Sequence, residues 1–254
     1  MSAGEAWKLA GTVDYVASAV LGKKARAFTR PVRDWERQRS SKRYRLTEEL
    51  RAALKVLRVF VADRSWQPIW CHGVAWRYAL VFSDARGRAG DGGVDSIWGA
   101  EQLAAVVLTP AGGWYTHISA AARQVQVWLA GASPDHRINE CEALAALLAV
   151  GTFGVLLKDA DVLHFIDSTA AEGTLLKGLS VSRTLSAIAS AFWVQAGLHR
   201  AAVWIGRVPS KLNVADGPTR HDLSEVTALG WARIPPWLPD PQPWSMLLAG
   251  SAQQ

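Results

Sequence analysis

The stretch Arg77-Tyr78-Ala79-Leu80-Val81-Phe82-Ser83-Asp84-Ala85 decides the fold. An apolar run with β-branched and aromatic members ends abruptly in a carboxylate, which reads as a buried strand delivering Asp84 to its tip. Two more carboxylates stand in similar frames. Asp167 ends Val162-Leu163-His164-Phe165-Ile166-Asp167, and Glu142 opens the helix-like run Cys141-Glu142-Ala143-Leu144-Ala145-Ala146-Leu147-Leu148-Ala149-Val150. A fourth, Asp216, sits in Asn213-Val214-Ala215-Asp216-Gly217-Pro218. Acidic groups at the ends of buried elements repel one another and lose hydration, so a fold keeps them together when a cation or a reaction needs them.

Downstream of Asp84 comes a Gly-rich acidic loop, in which Asp91 and Asp95 read as solvated charges. Residues 98–109, a Pro110-Ala111-Gly112-Gly113 turn and residues 114–118 then form a hairpin, which completes a three-stranded antiparallel meander with 78–83. Residues 119–137 fit either strand or helix. Asn139 caps a helix with Glu142 in its first turn, and Gly151 ends it. Ala145 and Ala146, one turn past Glu142, are small enough to let that helix lie close to a sheet. A strand over 162–167, a helix over 168–177, a helix over 183–196 capped by Ser182, and a strand over 201–207 follow. Trp193 and Trp204 read as core residues of the last two, with base stacking as the alternative.

Upstream, residues 1–56 carry a dense basic run from Lys23 to Arg45, in helices interrupted at Pro31. The run is either a solvated face or a surface for nucleic-acid phosphates. Thr47 caps a clearer helix with Leu50, Leu54, Leu57 and Val61 on one face. Residues 65–77, with Trp66, Trp70 and Trp76, read as a packed linker, and the Pro/Trp-rich tail after Asp216 as irregular chain.

The 254 residues are 50% hydrophobic, enough for a sizeable core. Lys and Arg number 28 against 22 Asp and Glu, a net charge of +6 that favours a polyanionic partner or serves solubility alone. Two cysteines, Cys71 and Cys141, supply neither a disulfide framework nor a four-ligand zinc site, which points to reduced thiols and an intracellular protein. No stretch approaches the roughly 18 uninterrupted apolar residues of a membrane span.

Asp84 and Asp167 fall at strand ends, where neighbouring parallel strands bring carboxylates together. Four hard oxygen donors suit Mg²⁺ or Mn²⁺. Two such ions about 4 Å apart activate a water on one side of a phosphodiester and stabilise the leaving oxygen on the other. Residues 78–84, Asn139-Glu140-Cys141-Glu142-Ala143-Leu144-Ala145-Ala146-Leu147, Phe165-Ile166-Asp167-Ser168 and Asn213-Val214-Ala215-Asp216, in that order, resemble the four motifs of type 1 ribonuclease H. The variant is that of retroelement reverse transcriptases, whose last motif, Asn-x-x-Ala-Asp-x-x-Ser/Arg, resembles 213–220. The resemblance spans about 73–222. Upstream, 22–28 and 45–51 are similar to the segment joining polymerase and ribonuclease H in DIRS-like retroelements.

The resemblance implies hydrolysis of the RNA strand of an RNA–DNA hybrid with two Mg²⁺, for which Mn²⁺ can substitute. Asp84, Glu142, Asp167 and Asp216 are then ligands and catalytic residues, and Asn139, Ser168, Thr169, Lys211 and Asn213 contact the nucleic acid. Glu140 is the rival to Glu142, but the family's Glu-x-x-Ala-Ala frame falls on Glu142. Positions two apart on a helix point about 200° apart, so one of the two at most faces the metals. Cellular ribonucleases H carry a His in the loop before the last Asp; the loop 206–215 has none, and His199 lies too far upstream to transfer. There is no Tyr-x-Asp-Asp polymerase motif.

The reading is therefore an α/β, ribonuclease H-like domain over 73–224: a mixed five-stranded sheet, antiparallel meander plus parallel strands, with helices on both faces. A basic helical, connection-like extension over 1–72 precedes it and a tail over 225–254 follows. The expected partners are an RNA–DNA hybrid and a reverse transcriptase polymerase domain, with no membrane. The rivals are an inactive nucleic-acid-binding or tethering module and a DNA-acting nuclease of the same fold.

Overall fold

The structure, a computed structural model, describes residues 3–19, 23–37, 47–62, 77–86, 102–132 and 137–245. The predicted strand around Asp84 forms as β1 (Arg77–Arg86), two residues beyond Asp84. Its alternation sorts it between two layers. Ala79, Val81 and Ala85 join the main core, and Phe82 joins a smaller cluster on the opposite face.

β2 (Gln102–Thr109) pairs antiparallel with β1, and β3 (Gly112–Ser119) antiparallel with β2. The Thr109 hydroxyl accepts from Ala111 N at 3.1 Å in the Pro110-Ala111 turn, and Gly112 takes the positive φ that follows it. β4 (Ala160–Ile166) lies parallel to β1, and β5 (Ala202–Arg207) parallel to β4. The meander and the two parallel strands are thus as expected. A sixth strand was not expected. β6 (Ala232–Arg233) comes from the tail and pairs parallel with β3, giving the order β5-β4-β1-β2-β3-β6. A Cβ on Gly113 of β3 would lie 2.5 Å from the Trp231 ring, so glycine there admits this last strand.

The ambiguous segment resolves as a short helix, α4 (Arg123–Leu129), that buries Val125, Trp128 and Leu129. α5 (Arg137–Thr152) packs on β1 and β2, with Ala143, Ala145, Ala146 and Ala149 fully buried as the small side chains required. It begins at Arg137, three residues before the start that an Asn139 cap would set. Asn139 therefore lies inside the first turn rather than capping it, and Glu142 lies in the second. Gly151 does not end the helix; a Cβ there would lie 2.9 Å from the Trp237 ring and backbone oxygen, so its role is to admit the tail.

α6 (Thr169–Lys177) is capped by Ser168, whose hydroxyl accepts from Ala171 N, and closes on Gly178 in the left-handed conformation. α7 (Arg183–Leu198) is capped by Ser182 as expected and packs on α5. After β5 a 3-10 turn (Ser210–Leu212) leads to α8 (Asp216–Thr219) and α9 (Ser224–Ala228). Val106, Tyr115, Ala215 and Val226 cluster there on the face of the sheet away from α5, so helices cover both faces.

At the N-terminus lie α1 (Ala3–Ala19), α2 (Lys23–Arg37) and α3 (Glu48–Ala62). The Thr47 hydroxyl accepts from Leu50 N at 3.1 Å, the cap foreseen for α3, and Leu50 and Leu57 are buried while Val61 is exposed. The interruption at Pro31 does not occur: α2 runs through it. An interior proline costs about 3 kcal/mol or more, which the burial of Phe28, Val32 and Trp35 offsets.

The described part of the basic run is not a free surface. Arg26 Nη1 donates to Lys177 O at 2.9 Å, Arg30 Nη1 to Val181 O at 2.5 Å, and Arg33 pairs with Asp14. Lys23 Nζ sits 4.1 Å over the Trp193 ring, and Arg183 Nη1 meets Glu49 Oε1 at 2.6 Å. Arg39, Lys42, Arg43 and Arg45 lie outside the described residues, as do the linker, the Gly-rich loop with Asp91 and Asp95, and Cys71. Trp193 is core, as expected; Trp204 is not, being 68% exposed on β5 beside the half-exposed Leu163.

The tail is irregular over 235–241 yet firmly packed. Trp128 Nε1 donates to Pro239 O, and Trp244, 4% exposed, donates to Ser190 Oγ, both at 3.0 Å.

Candidate metal centre

Strand register brings the first two carboxylates together. Ser83 of β1 pairs with Ile166 of β4, so the next residues, Asp84 and Asp167, stand side by side at the carboxyl ends of adjacent parallel strands. Glu142 reaches the same point from α5. Asp84, Glu142 and Asp167 each offer an oxygen within 4.8 Å of the others. No other group of three metal-ligating side chains is so placed among the described residues.

Burial governs the electrostatics. Asp84 is 5% exposed and Glu142 8% exposed. Loss of hydration, followed by the charges of Asp84 and Asp167, pushes the Glu142 carboxyl up to about 9, against a bond from the Ala85 backbone N–H. Asp84 is pushed up to about 6, again chiefly by burial, with Asp167 and Asp216 adding to the rise. The Thr219 hydroxyl, 2.9 Å from Asp84 Oδ2, and the Arg220 charge oppose that rise. Glu142 Oε2 is buried with no hydrogen-bond partner. A buried carboxylate oxygen is costly to leave without a donor, and here the carboxyl stands beside two further acidic groups. A proton or a cation balances such a set, and the donors, all carboxylate oxygens, fit a hard divalent ion. The triad can hold a metal ion.

Asp216 does not join the triad. It opens α8 close enough for its charge to act on Asp84, but Arg220 Nε donates to its two oxygens at 2.8 and 2.7 Å. The expected quartet is a trio with an ion-paired fourth member beside it.

The other expected site residues are dispersed around this point. Asn139, partly buried, lies in the first turn of α5, and Ser168 caps α6. Thr169 is exposed at the start of α6, on a groove of about 620 Å³ shared with Arg30, Arg33 and Lys177. Lys211 is exposed in the 3-10 turn. Asn213 is buried; its Nδ2 donates to Ser83 O at 3.1 Å and its Oδ1 accepts from Ala215 N, which pins the Asp216 loop to β1.

Glu140, the rival to Glu142, lies outside the triad. It is 2% exposed and accepts from Ser182 Oγ, the cap of α7, at 2.9 Å. Sequence reasoning assigned no role to Thr219 or Arg220, although both close the stretch read as the last motif. It also missed the buried pair beneath Asp84, in which Ser83 Oγ and His164 Nε2 lie 2.9 Å apart. Burial holds His164 neutral, down to about 3.

Compared with protein-family models, curated proteins and solved structures, the chain matches none. What the fold and site define is a class: a mixed α/β sheet, compatible with the ribonuclease H-like fold, with a buried acidic triad at the carboxyl ends of its central strands. Among the described residues no helix is long and apolar enough to cross a membrane.

Proposed function

We propose that this chain is a Mg²⁺-dependent endonuclease of the ribonuclease H type, derived from a retroelement reverse transcriptase, that hydrolyses the RNA strand of RNA–DNA hybrids. The observation that carries the reading is the convergence of Asp84, Glu142 and Asp167, with Glu142 Oε2 buried and lacking a donor. The four motif-like stretches support the choice of substrate, since they occur in order and three of them supply the triad. Asp84, Glu142 and Asp167 would hold the ions, with Asp216 as a further ligand. Bound there, Mg²⁺ supplies an activated water and charge stabilisation for the departing oxygen.

The chain's own residues do the positioning. Thr219 orients Asp84, and Asn213 ties the Asp216 loop to the same strand. The exposed Thr169 and Lys211 would contact backbone phosphates, and the net charge of +6 favours a polyanion.

The test incubates the purified chain with end-labelled RNA–DNA hybrid, duplex RNA and duplex DNA, in Mg²⁺ or EDTA. Cleavage confined to the RNA strand of the hybrid and lost in EDTA is the expected result. Cleavage of duplex DNA would identify a DNA-acting nuclease, and hybrid binding without cleavage a tethering module.

A further inference from the structure

Arg220 pairs with Asp216, the member of the expected four that stands apart from the triad. Its Nε lies 2.7 and 2.8 Å from the two oxygens of Asp216, and its charge also bears on Asp84, so the guanidinium sits at the rim of the acidic cluster. The two residues are four apart, Asp216 opening α8 and Arg220 directly following it, and the hydroxyl of Thr219, between them, lies 2.7 Å from Asp216 O and 2.9 Å from Asp84 Oδ2. The backbone is therefore held to β1 while the ion pair is not. The Arg220 and Asp216 side chains are 54% and 38% exposed. An exposed pair of this kind is weak, and a guanidinium can exchange a carboxylate for a phosphate, since both offer it two anionic oxygens.

We infer that Arg220 is a positioning residue for Asp216: paired, it leaves a site for one ion on Asp84, Glu142 and Asp167, and a backbone phosphate that draws it away frees Asp216 for a second. This rests on the proposed function, and it makes loading of the second ion depend on bound nucleic acid. The fourth carboxylate is then withheld from stray cations until the phosphodiester arrives.

The experiment measures Mn²⁺ binding to the free chain by calorimetry and electron paramagnetic resonance, for the wild type, R220Q, D216N and the double variant. The wild type is expected to take one ion well and a second poorly. R220Q should bind the second about two- to fivefold more tightly, the scale of an exposed pair, and that gain should vanish in the D216N background. Equal second-ion affinity in R220Q and wild type would overturn the inference. So would a gain that persists without the Asp216 carboxylate, because loss of a nearby positive charge would then explain it. Failure of all four proteins to bind Mn²⁺ would remove the metal reading itself, a distinct outcome.

The phosphate half has its own readout. In EDTA, the slope of log Kobs for hybrid against log salt should be shallower by about 0.9 in R220Q, one phosphate contact; an unchanged slope would overturn it.

Discussion

Thr219 Oγ1 lies 2.9 Å from Asp84 Oδ2, a buried contact that joins a short helix after β5 to the central strand of the sheet. The hydroxyl stabilises the ionised form of a carboxyl that burial otherwise pushes up to about 6. Thr219→Val keeps the shape and removes the donor. It should destabilise the chain by about 1–3 kcal/mol, the cost of a buried group left without its partner, and raise the Asp84 pKa further. Chemical denaturation and a pH titration of the Asp84 carboxyl by NMR check the two effects; an Asp84 pKa that falls or stays would refute the assignment.

The triad also sets a pH dependence. Glu142 and Asp84 have raised pKa values in the folded chain, from 4.5 to about 9 and from 3.8 to about 6. The native state thus holds protons that the unfolded state has released, and stability must fall as pH rises from about 4 through 9. In EDTA, Glu142→Gln should match the wild type near pH 4 and exceed it increasingly at higher pH. Millimolar Mg²⁺ should raise the wild-type melting temperature most at alkaline pH, where protons no longer compete, and should do little for the variant. Parallel curves for the two proteins in EDTA would show that Glu142 does not carry the strain.

Glu140 and Glu142 should separate cleanly. Glu140 is buried against the Ser182 cap of α7, so Glu140→Ala should cost about 1–3 kcal/mol yet preserve the Mg²⁺-dependent rise in melting temperature. Glu142→Gln should do the reverse, abolishing the metal response and, under the proposed function, cleavage. An E140A protein that folds normally but ignores Mg²⁺ would place the helix one face out of register.

The N-terminal helices share a core with the sheet. Phe28 of α2 is fully buried and α2 packs on α7, which in turn packs on α5, the helix that carries Glu142. Phe28→Ala should cost about 3–5 kcal/mol and lower the single unfolding transition of the whole chain. A separate early transition that leaves the Mg²⁺ response of the remainder intact would show that the extension folds independently.

Much of the architecture was legible locally. The β-branched and aromatic run before Asp84, the Pro110-Ala111 turn, the Thr47 and Ser182 caps and the alanines of α5 each name their own conformation through propensity, hydrogen-bonding chemistry or size. The run that α2 makes through Pro31 was not legible, because a local penalty there is outweighed by burial of Phe28, Val32 and Trp35 against distant residues. Gly151 looked like a helix end for a similar reason: only the approach of Trp237 reveals that the missing side chain is needed for space.

For the site, the sequence by itself determined which carboxylates stand at the ends of buried elements, since apolar patterning and strand polarity are encoded residue by residue. Which of them meet was decided by tertiary structure alone. Asp84 and Asp167 come together through the parallel register of β1 and β4, and Glu142 through the close seating of α5. Asp216 stands apart from them, ion-paired with Arg220, an arrangement that depends on distances of a few ångströms, which no spacing in the chain specifies.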